Sequence, residues 1–390
     1  MSLGICVIGA GMVGAAHAAA YRAYLPRFRT GGSSLDLLSV CDVRREAAEA
    51  VAARYGFREA VTDWREAVAD ERVGLVSVAL PNAEHEEVVL AALAAGKHVL
   101  CEKPLALTAA GARRMAEAAA AAGVVARTMF NYRRLPAVAE ALRRVGAGEI
   151  GAFTDLHIAY RTEYAADREL PFSWRYDRTT AGGGALVDVG AHAVDLALAL
   201  CGPVAEVVGA LESVVVKERR MPAAAVSGHS RAVLGDERRS VDTDDVFSAL
   251  LRFQSGCQGH LLASRMAVGH GNSLTFALAG TEGSLRFDSE RPNTYDIAVR
   301  RHGEASHFER VHVGARSPYV AELLPVPHDG VTVGYSEAFG FAVADFLEAV
   351  VNGADGHGRP FADGVAAAEV IEAMQASARL GVPVRVGVRR

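Results

Sequence analysis

Through the first third of the chain, short apolar runs of strand length alternate with alanine-rich segments of helix length. Leu3–Gly9, Asp36–Cys41, Leu75–Ala79, His98–Cys101 and Val124–Phe130 predict strands; Val13–Tyr24, Arg44–Tyr55, Glu84–Ala95 and Thr108–Ala122 predict the helices between them. Strands alternating with helices imply right-handed βαβ units and a mostly parallel, doubly wound α/β sheet. Thr108, following Pro104-Leu-Ala-Leu, is a natural N-cap for the last of these helices.

The rhythm changes after about Phe130. A helix at Pro136–Val145 leads into a strand at Ala152–Tyr160, and a second helix is predicted over Leu186–Leu200. Beyond it the pattern becomes strand-dominated. Val246–Phe253 and Gln258–Arg265 flank Gln254-Ser-Gly-Cys257 as a hairpin, and Thr275–Ala279 and Ser284–Phe287 flank Gly280-Thr-Glu-Gly283 as another. Helices near Glu337–Val351 and Gly364–Arg379 close the chain. The expectation is a doubly wound α/β domain over residues 1–130, then an α+β domain over 131–390 built on a large, mostly antiparallel sheet. Helices on one side of such a sheet leave its other face to be covered, which predicts a homodimer or homotetramer formed through the second domain. Two segments read as excursions: charge-rich Glu218–Asp245, and 314–334 with Pro318, Pro325 and Pro327. The second reads as either a lid or an ordinary surface loop.

Composition narrows the function classes. The 390 residues carry a net charge of -5, so no broad basic field exists to hold nucleic acid. The apolar stretch LVDVGAHAVDLALALCG is interrupted by Asp188 and Asp195, and the N-terminal MSLGICVIGAG lacks a basic leader; neither membrane insertion nor export is expected. Cys6, Cys41, Cys101, Cys201 and Cys257 are odd in number and scattered, without a C-x-x-C pair, so neither a disulfide framework nor a metal site is predicted. The chain reads as cytoplasmic.

Gly9-Ala-Gly11-Met12-Val13-Gly14 follows the first strand and opens the first helix. Glycines at this spacing allow a tight turn, close approach of a pyrophosphate to backbone amides, and close helix–strand packing. The motif alone is weak, but strand, helix and βαβ pattern agree on a dinucleotide site. Asp42 ends the second strand, where a carboxylate accepts from adenosine ribose hydroxyls and repels a 2′-phosphate. It lies farther from Gly14 than usual because of the loop-like RFRTGGSSL. Arg44 and Arg45 follow and leave a second reading open, since a guanidinium there holds a 2′-phosphate. NAD is the favoured cofactor, with NADP the alternative.

Three further segments carry a resemblance: Ala79-Leu80-Pro81-Asn82-Ala-Glu-His85, then Glu102-Lys103-Pro104, then Ser173-Trp174-Arg175-Tyr176-Asp177 leading into AGGGALVDVGAHAVDL. In this order they resemble the glucose–fructose oxidoreductase/inositol dehydrogenase (Gfo/Idh/MocA) family over nearly the whole chain. Asn131-Tyr132-Arg133 and Gly334-Tyr-Ser-Glu337 are similar to members acting on anhydrosugars such as levoglucosan. The resemblance implies an NAD(P)-dependent dehydrogenase acting on a secondary alcohol of a sugar, anhydrosugar or inositol-like polyol.

Oxidising such an alcohol requires a base near neutral pKa, for which histidine is suited. The resemblance implies that His192 is that base. Asp188, four positions earlier on the predicted helix, then orients the imidazole or bonds the substrate. It also implies that Lys103, after a parallel strand, holds the reacting oxygen and takes the place of a metal. Pro81, Asn82 and Leu80 are expected near the cofactor ribose, with His85 beside them or simply opening a helix. Glu102 contacts the nicotinamide ribose or pairs with a neighbour. Trp174 and Arg175 close over the nicotinamide end or form core and surface. Tyr132, Arg133, Tyr160 and His157 line a sugar pocket or serve structure, the two readings standing even. Two alternatives remain: an NAD-dependent glycosidase with transient oxidation, and a dinucleotide-binding regulator, for which Lys103, Asp188 and His192 have no use.

Overall fold

The computed structural model describes residues 3–28, 35–223, 232–301, 305–352 and 361–387. Backbone contacts divide the chain into two compact units, residues 1–131 with 336–368, and residues 132–335 with 369–390.

The first unit is the predicted α/β layer structure. Its strands are β1 (Leu3–Ile8), β2 (Leu35–Cys41), β3 (Glu59–Val61), β4 (Val73–Val78), β5 (His98–Cys101) and β6 (Ala126–Thr128). All pair in parallel, in the order β3-β2-β1-β4-β5-β6. The order reverses beside β1, which opens a crevice at the strands' carboxyl ends. Between the strands run α1 (Met12–Tyr24), α2 (Arg45–Tyr55), α3 (Trp64–Ala69), α4 (His85–Ala94) and α5 (Ala109–Ala122). Ile5, Cys6, Val7, Val76, Val78 and Val99 are fully buried because both sheet faces are covered, which explains their continuous apolar runs. Thr108 caps α5 as expected, its Oγ1 accepting from Gly111 N at 3.0 Å. The short pair β3 and α3 was not legible, since three strand residues leave no periodicity to read. Asp63 caps α3 by accepting from Arg65 N.

The second unit opens with α6 (Pro136–Gly146) and β7 (Phe153–Arg161). After a short α7 (Arg178–Ala181), the predicted helix over Leu186–Leu200 is divided into a π-helical turn, Leu186–Gly190, and α8 (Ala191–Cys201). Residues 178–201 are long and apolar enough to cross a membrane, but 83% of the apolar window is buried inside this unit. There α8 packs on β7 and on the strand Gln258–Ser264.

The unit's large sheet contains β8 (Val204–Ser213), β11 (Val246–Phe253), β12 (Gln258–Ser264), β13 (Ser273–Gly280), β14 (Gly283–Asp288), β15 (Thr294–Val299), β16 (Glu309–His312) and the late β17 (Val384–Arg385). With β7 they form nine strands in the order β16-β15-β14-β13-β7-β12-β11-β8-β17. Neighbours pair antiparallel except β7 with β12, which run parallel. Both predicted hairpins form. The charge-rich excursion is a separate two-stranded ribbon, β9 (Glu218–Pro222) with β10 (Leu234–Ser240); its residues 224–231 lie outside the described ones. The 314–334 segment contains only the single-turn α9 (Val320–Leu323).

The late helices α10 (Tyr335–Asn352) and α11 (Ala362–Leu380) correct a single boundary near residue 130. Residues 336–368 group with the first unit, where α10 lies against α1. Phe341 meets Tyr24 at 6.0 Å between ring centroids and Phe339 meets His17 at 5.9 Å. A Cβ at Gly340 would stand 2.1 Å from the Tyr24 ring, so glycine lets α10 lie close there.

Candidate active site

In the first unit the site residues sit where β1, β2, β4 and β5 end. Gly9 has φ +101, and a Cβ on it would stand 2.3 Å from Ala79 O. A Cβ on Gly14 would stand 1.7 Å from Gly9 O, whereas one on Gly11 meets nothing within 4 Å. Two glycines therefore serve the turn and the helix–strand approach. The third leaves open space before α1, whose first residues, Met12 and Val13, offer backbone N–H groups without intrahelical partners. That cradle suits a pyrophosphate. Asp42 Oδ2 accepts from Ala10 N at 2.9 Å, which fastens the end of β2 to the glycine turn. Its Oδ1 accepts from Arg44 N at 2.9 Å and lies 3.5 Å from Arg44 Nε. Arg44 is thus paired with the carboxylate. Of the loop 27–35, residues 29–34 lie outside the described ones.

At the ends of β4 and β5 the motifs interlock. Leu80 and Pro81 are half-buried and Asn82 is buried at the start of a 3-10 turn leading into α4. His85 is fully buried, with Nδ1 2.9 Å from Pro104 O and Nε2 3.0 Å from Leu80 O. Both ring nitrogens face backbone carbonyls, so His85 ties the Leu80 and Pro104 segments together. Burial holds its pKa below the ordinary value. Glu102 is buried: Oε1 lies 3.0 Å from His17 Nε2, and Oε2 accepts from Lys103 N at 3.0 Å. His17 Nδ1 lies 2.6 Å from Ser77 Oγ. A carboxylate only accepts, so Nε2 carries a proton and donates to Glu102. Sequence reading missed His17. Its position on the glycine-loop helix was the only available signal. This chain fixes the half-buried Lys103 at the tip of the β5 turn.

In the second unit, Asp244 builds the seat for the predicted acid–base residues. It is buried; its Oδ1 accepts from Gly184 N at 2.7 Å, Oδ2 from Leu186 N at 2.8 Å, and its carbonyl from Ala185 N at 2.7 Å. These are the N–H groups that open the helical segment carrying Asp188 and His192. A Cβ on Gly184 would stand 1.8 Å from Asp244 O, which accounts for glycine in the AGGGA run. Asp188 lies in the π-helical turn and accepts from Tyr164 OH at 2.6 Å, with Arg175 Nε 3.9 Å away. His192 opens α8, 5% exposed, and packs against the ring of Tyr132 at 5.1 Å and that of Tyr160 at 6.0 Å.

The candidate sugar-lining residues divide. Tyr132 and Tyr160 are buried beside His192, their hydroxyls 2.8 Å apart. Arg133 grips Asp195 with two nitrogens, at 2.7 and 2.6 Å. His157 is exposed on the opposite face of β7, stacked on His260 at 4.4 Å, away from His192's side of the sheet. Trp174 and Arg175 are half-buried, the Arg175 guanidinium 4.4 Å over the indole. The Arg175 carbonyl accepts from Thr243 Oγ1 and Arg265, and Arg265 is itself buried and paired with Asp245 at 2.7 Å. Tyr164, Asp244, Asn272 and Arg265 were all missed. Each acts across a large sequence separation that no local pattern announces.

The comparisons with known proteins agree with this arrangement. Residues 3–130 match the model described as "Oxidoreductase family, NAD-binding Rossmann fold", and residues 138–286 match the GFO/IDH/MocA C-terminal domain. The chain belongs to the GFO/IDH/MocA oxidoreductase family. It is 35% identical to a levoglucosan dehydrogenase of Pseudarthrobacter phenanthrenivorans, covering 97% of this chain and 96% of that one. It is 31% identical to a myo-inositol 2-dehydrogenase of Thermotoga maritima over 78% of this chain and 80% of the relative. A solved levoglucosan dehydrogenase in complex with NADH and levoglucosan superposes with a TM-score of 0.88 at 33% identity, over 99% of both chains. Family membership makes this chain an NAD-dependent dehydrogenase of CH–OH donors, with its NAD-binding domain over residues 3–130.

Proposed function

We propose that this dehydrogenase oxidises a secondary hydroxyl of a sugar, anhydrosugar or inositol-like polyol, with Lys103, Asp188 and His192 as its catalytic set. The observation that carries the reading is the seating of Asp188 and His192 on one Asp244-capped segment, with His192 walled by aromatic rings. Likeness to levoglucosan and inositol dehydrogenases supports the substrate class.

NAD, when bound, accepts the hydride. Met12 and Val13 amides would hold its pyrophosphate, Asp42 its adenosine ribose, and Leu80, Pro81 and Asn82 the neighbouring sugars; Trp174 and Arg175 would serve its nicotinamide end. Asp42 is already oriented by Ala10 and neutralises Arg44, which favours NAD over NADP. His192 takes the hydroxyl proton. Lys103 donates to the same oxygen and stabilises charge developing on it. Asp188, held by Tyr164, orients the substrate hydroxyl and the imidazole. Tyr132 and Tyr160 bond each other, and Arg133 grips Asp195, so they shape the pocket wall.

The open sheet face supports a homodimer or homotetramer. A concavity of about 990 Å³ there is lined by Ala159, Leu250, Leu262 and Ala277, among His157, His260 and Arg286. Light scattering reads this directly, and a monomer would reject it. Five free, buried cysteines suit the reducing cytoplasm.

The test is absorbance at the reduced-nicotinamide band with NAD or NADP against anhydrosugars, inositols and aldoses. Reduction by one sugar class is expected. Lys103→Met should abolish turnover while sparing cofactor binding; near-normal turnover would remove Lys103 from the mechanism.

A further inference from the structure

Tyr160 OH donates to Asn272 Oδ1 at 2.6 Å, and Asn272 Nδ2 donates to Tyr132 OH at 3.1 Å. The two phenol oxygens stand 2.8 Å apart. Tyr160 has committed its proton to Asn272, so Tyr132 must donate to Tyr160. The three side chains close a ring in which each gives one hydrogen bond and receives one. Tyr132 follows β6, Tyr160 comes from β7, and Asn272 comes from the exposed loop before β13. Both phenol rings lie against the His192 imidazole. The Arg133–Asp195 fork fastens the Tyr132 segment to α8, the same helix that carries His192.

We infer that Asn272, closing this ring, is a positioning residue for His192, and that Tyr132 and Tyr160 act with it as one unit. The inference rests on His192 being the base of the proposed reaction. Buried phenols lacking partners would turn or admit water, and the imidazole wall would loosen. With the ring closed, two aromatic surfaces fix the imidazole and keep water from stabilising its protonated form. Burial pushes the Tyr132 phenol up to about 12, so it stays neutral through the working range. Tyr132 from the segment before α6 and Tyr160 from β7 stand against the His192 ring; Tyr335 packs on Tyr132, Arg133 pairs with Asp195 on α8, and Asp188 lies four positions before His192. The buried positions of α6 and β12 packed there, Val138, Ala141, Leu261 and Ala263, are apolar. Lys103 joins them in the proposed reaction.

Because Asn272 is exposed, Asn272→Leu should fold. The experiment measures kcat, KM and the pH profile of kcat/KM for the parent, Asn272→Leu, Tyr160→Phe and the double variant. Histidine NMR titration without substrate accompanies them, with the His192 signal assigned by its loss in His192→Asn. We expect kcat to fall about tenfold in Asn272→Leu with KM within about twofold. The acid limb and the His192 NMR midpoint should move up together by about half a pH unit. The double variant should be little worse than either single one, as for residues acting as a unit. Parent-like kcat and NMR midpoint in Asn272→Leu would overturn the inference. A raised KM with unchanged kcat would also overturn it, because the tyrosines would then bind substrate directly. A parent that oxidises no sugar or polyol would sink the proposed function, while the NMR midpoints would still decide whether the ring governs His192.

Discussion

Tyr164 OH donates to Asp188 Oδ2 at 2.6 Å, so the carboxylate beside the proposed base is held from outside its own helix. Burial and the Asp188 charge both raise the Tyr164 pKa, which keeps its proton available to that bond. Tyr164→Phe removes a hydrogen bond to a charged group, worth about 1.5–3 kcal/mol. Steady-state kinetics should show kcat reduced about five- to tenfold with cofactor affinity unchanged, since nothing in the first unit is altered. Unchanged kcat would mean that Asp188 is held well enough by its other contacts.

Asp42 fastens the glycine turn through Ala10 and neutralises Arg44. Asp42→Ala should therefore do two things at once. It frees Arg44 to meet a 2′-phosphate, and it loosens the turn against β2. The NAD Michaelis constant should rise about tenfold or more while that for NADP falls. Equal rises for both cofactors would show that only the turn was affected.

His17 bridges Ser77 and Glu102 inside the first unit. His17→Ala leaves the Glu102 carboxylate and the Ser77 hydroxyl short of a partner in a buried site. Such losses cost about 1–3 kcal/mol for each unsatisfied group. Denaturant unfolding should register a destabilisation of about 2 kcal/mol or more. Because Glu102 also accepts from Lys103 N, kcat should fall as well.

Burial lowers the pKa of His85 from its ordinary 6.5, despite carbonyl oxygens facing both ring nitrogens. Those oxygens favour the cation, but loss of water outweighs them inside the core. The unfolded chain then binds a proton at a higher pH than the folded one. His85 thus contributes stability above about pH 6.5 that is lost as the pH falls below it. Unfolding midpoints should decline from pH 7.5 to pH 5.5 more steeply for the parent than for His85→Asn. Parallel slopes would assign the decline to other groups.

The βαβ order, the glycine cradle, Asp42 and the hairpins of the second unit were legible in the sequence because each is a local signal: periodicity, a turn residue or a strand end. A continuous apolar run such as Leu3–Ile8 can only be a strand covered on both faces, and Gly9 and Gly14 are forced by contacts within the same short segment. Segments 224–231 and 353–360 lie outside the described residues, and the sequence had singled out only the first, within Glu218–Asp245.

Tertiary structure alone decided which polar atoms are already occupied. Tyr132, Tyr160 and Arg133 read evenly as sugar ligands or structural residues, and nothing local announces Asn272 and Asp195 as their partners across 140 and 62 positions. His85 reads in sequence as a neighbour of the cofactor or the start of a helix; only the fold brings the Leu80 and Pro104 carbonyls to its two ring nitrogens. The uniform helix read over Leu186–Leu200 became a π-helical turn joined to α8, with Asp244 capping its start. The sequence determined what each residue can donate, accept or bury. A hydrogen bond also depends on what stands opposite it, and partners 60 or more positions away are chosen only when the sheet, helices and turns pack.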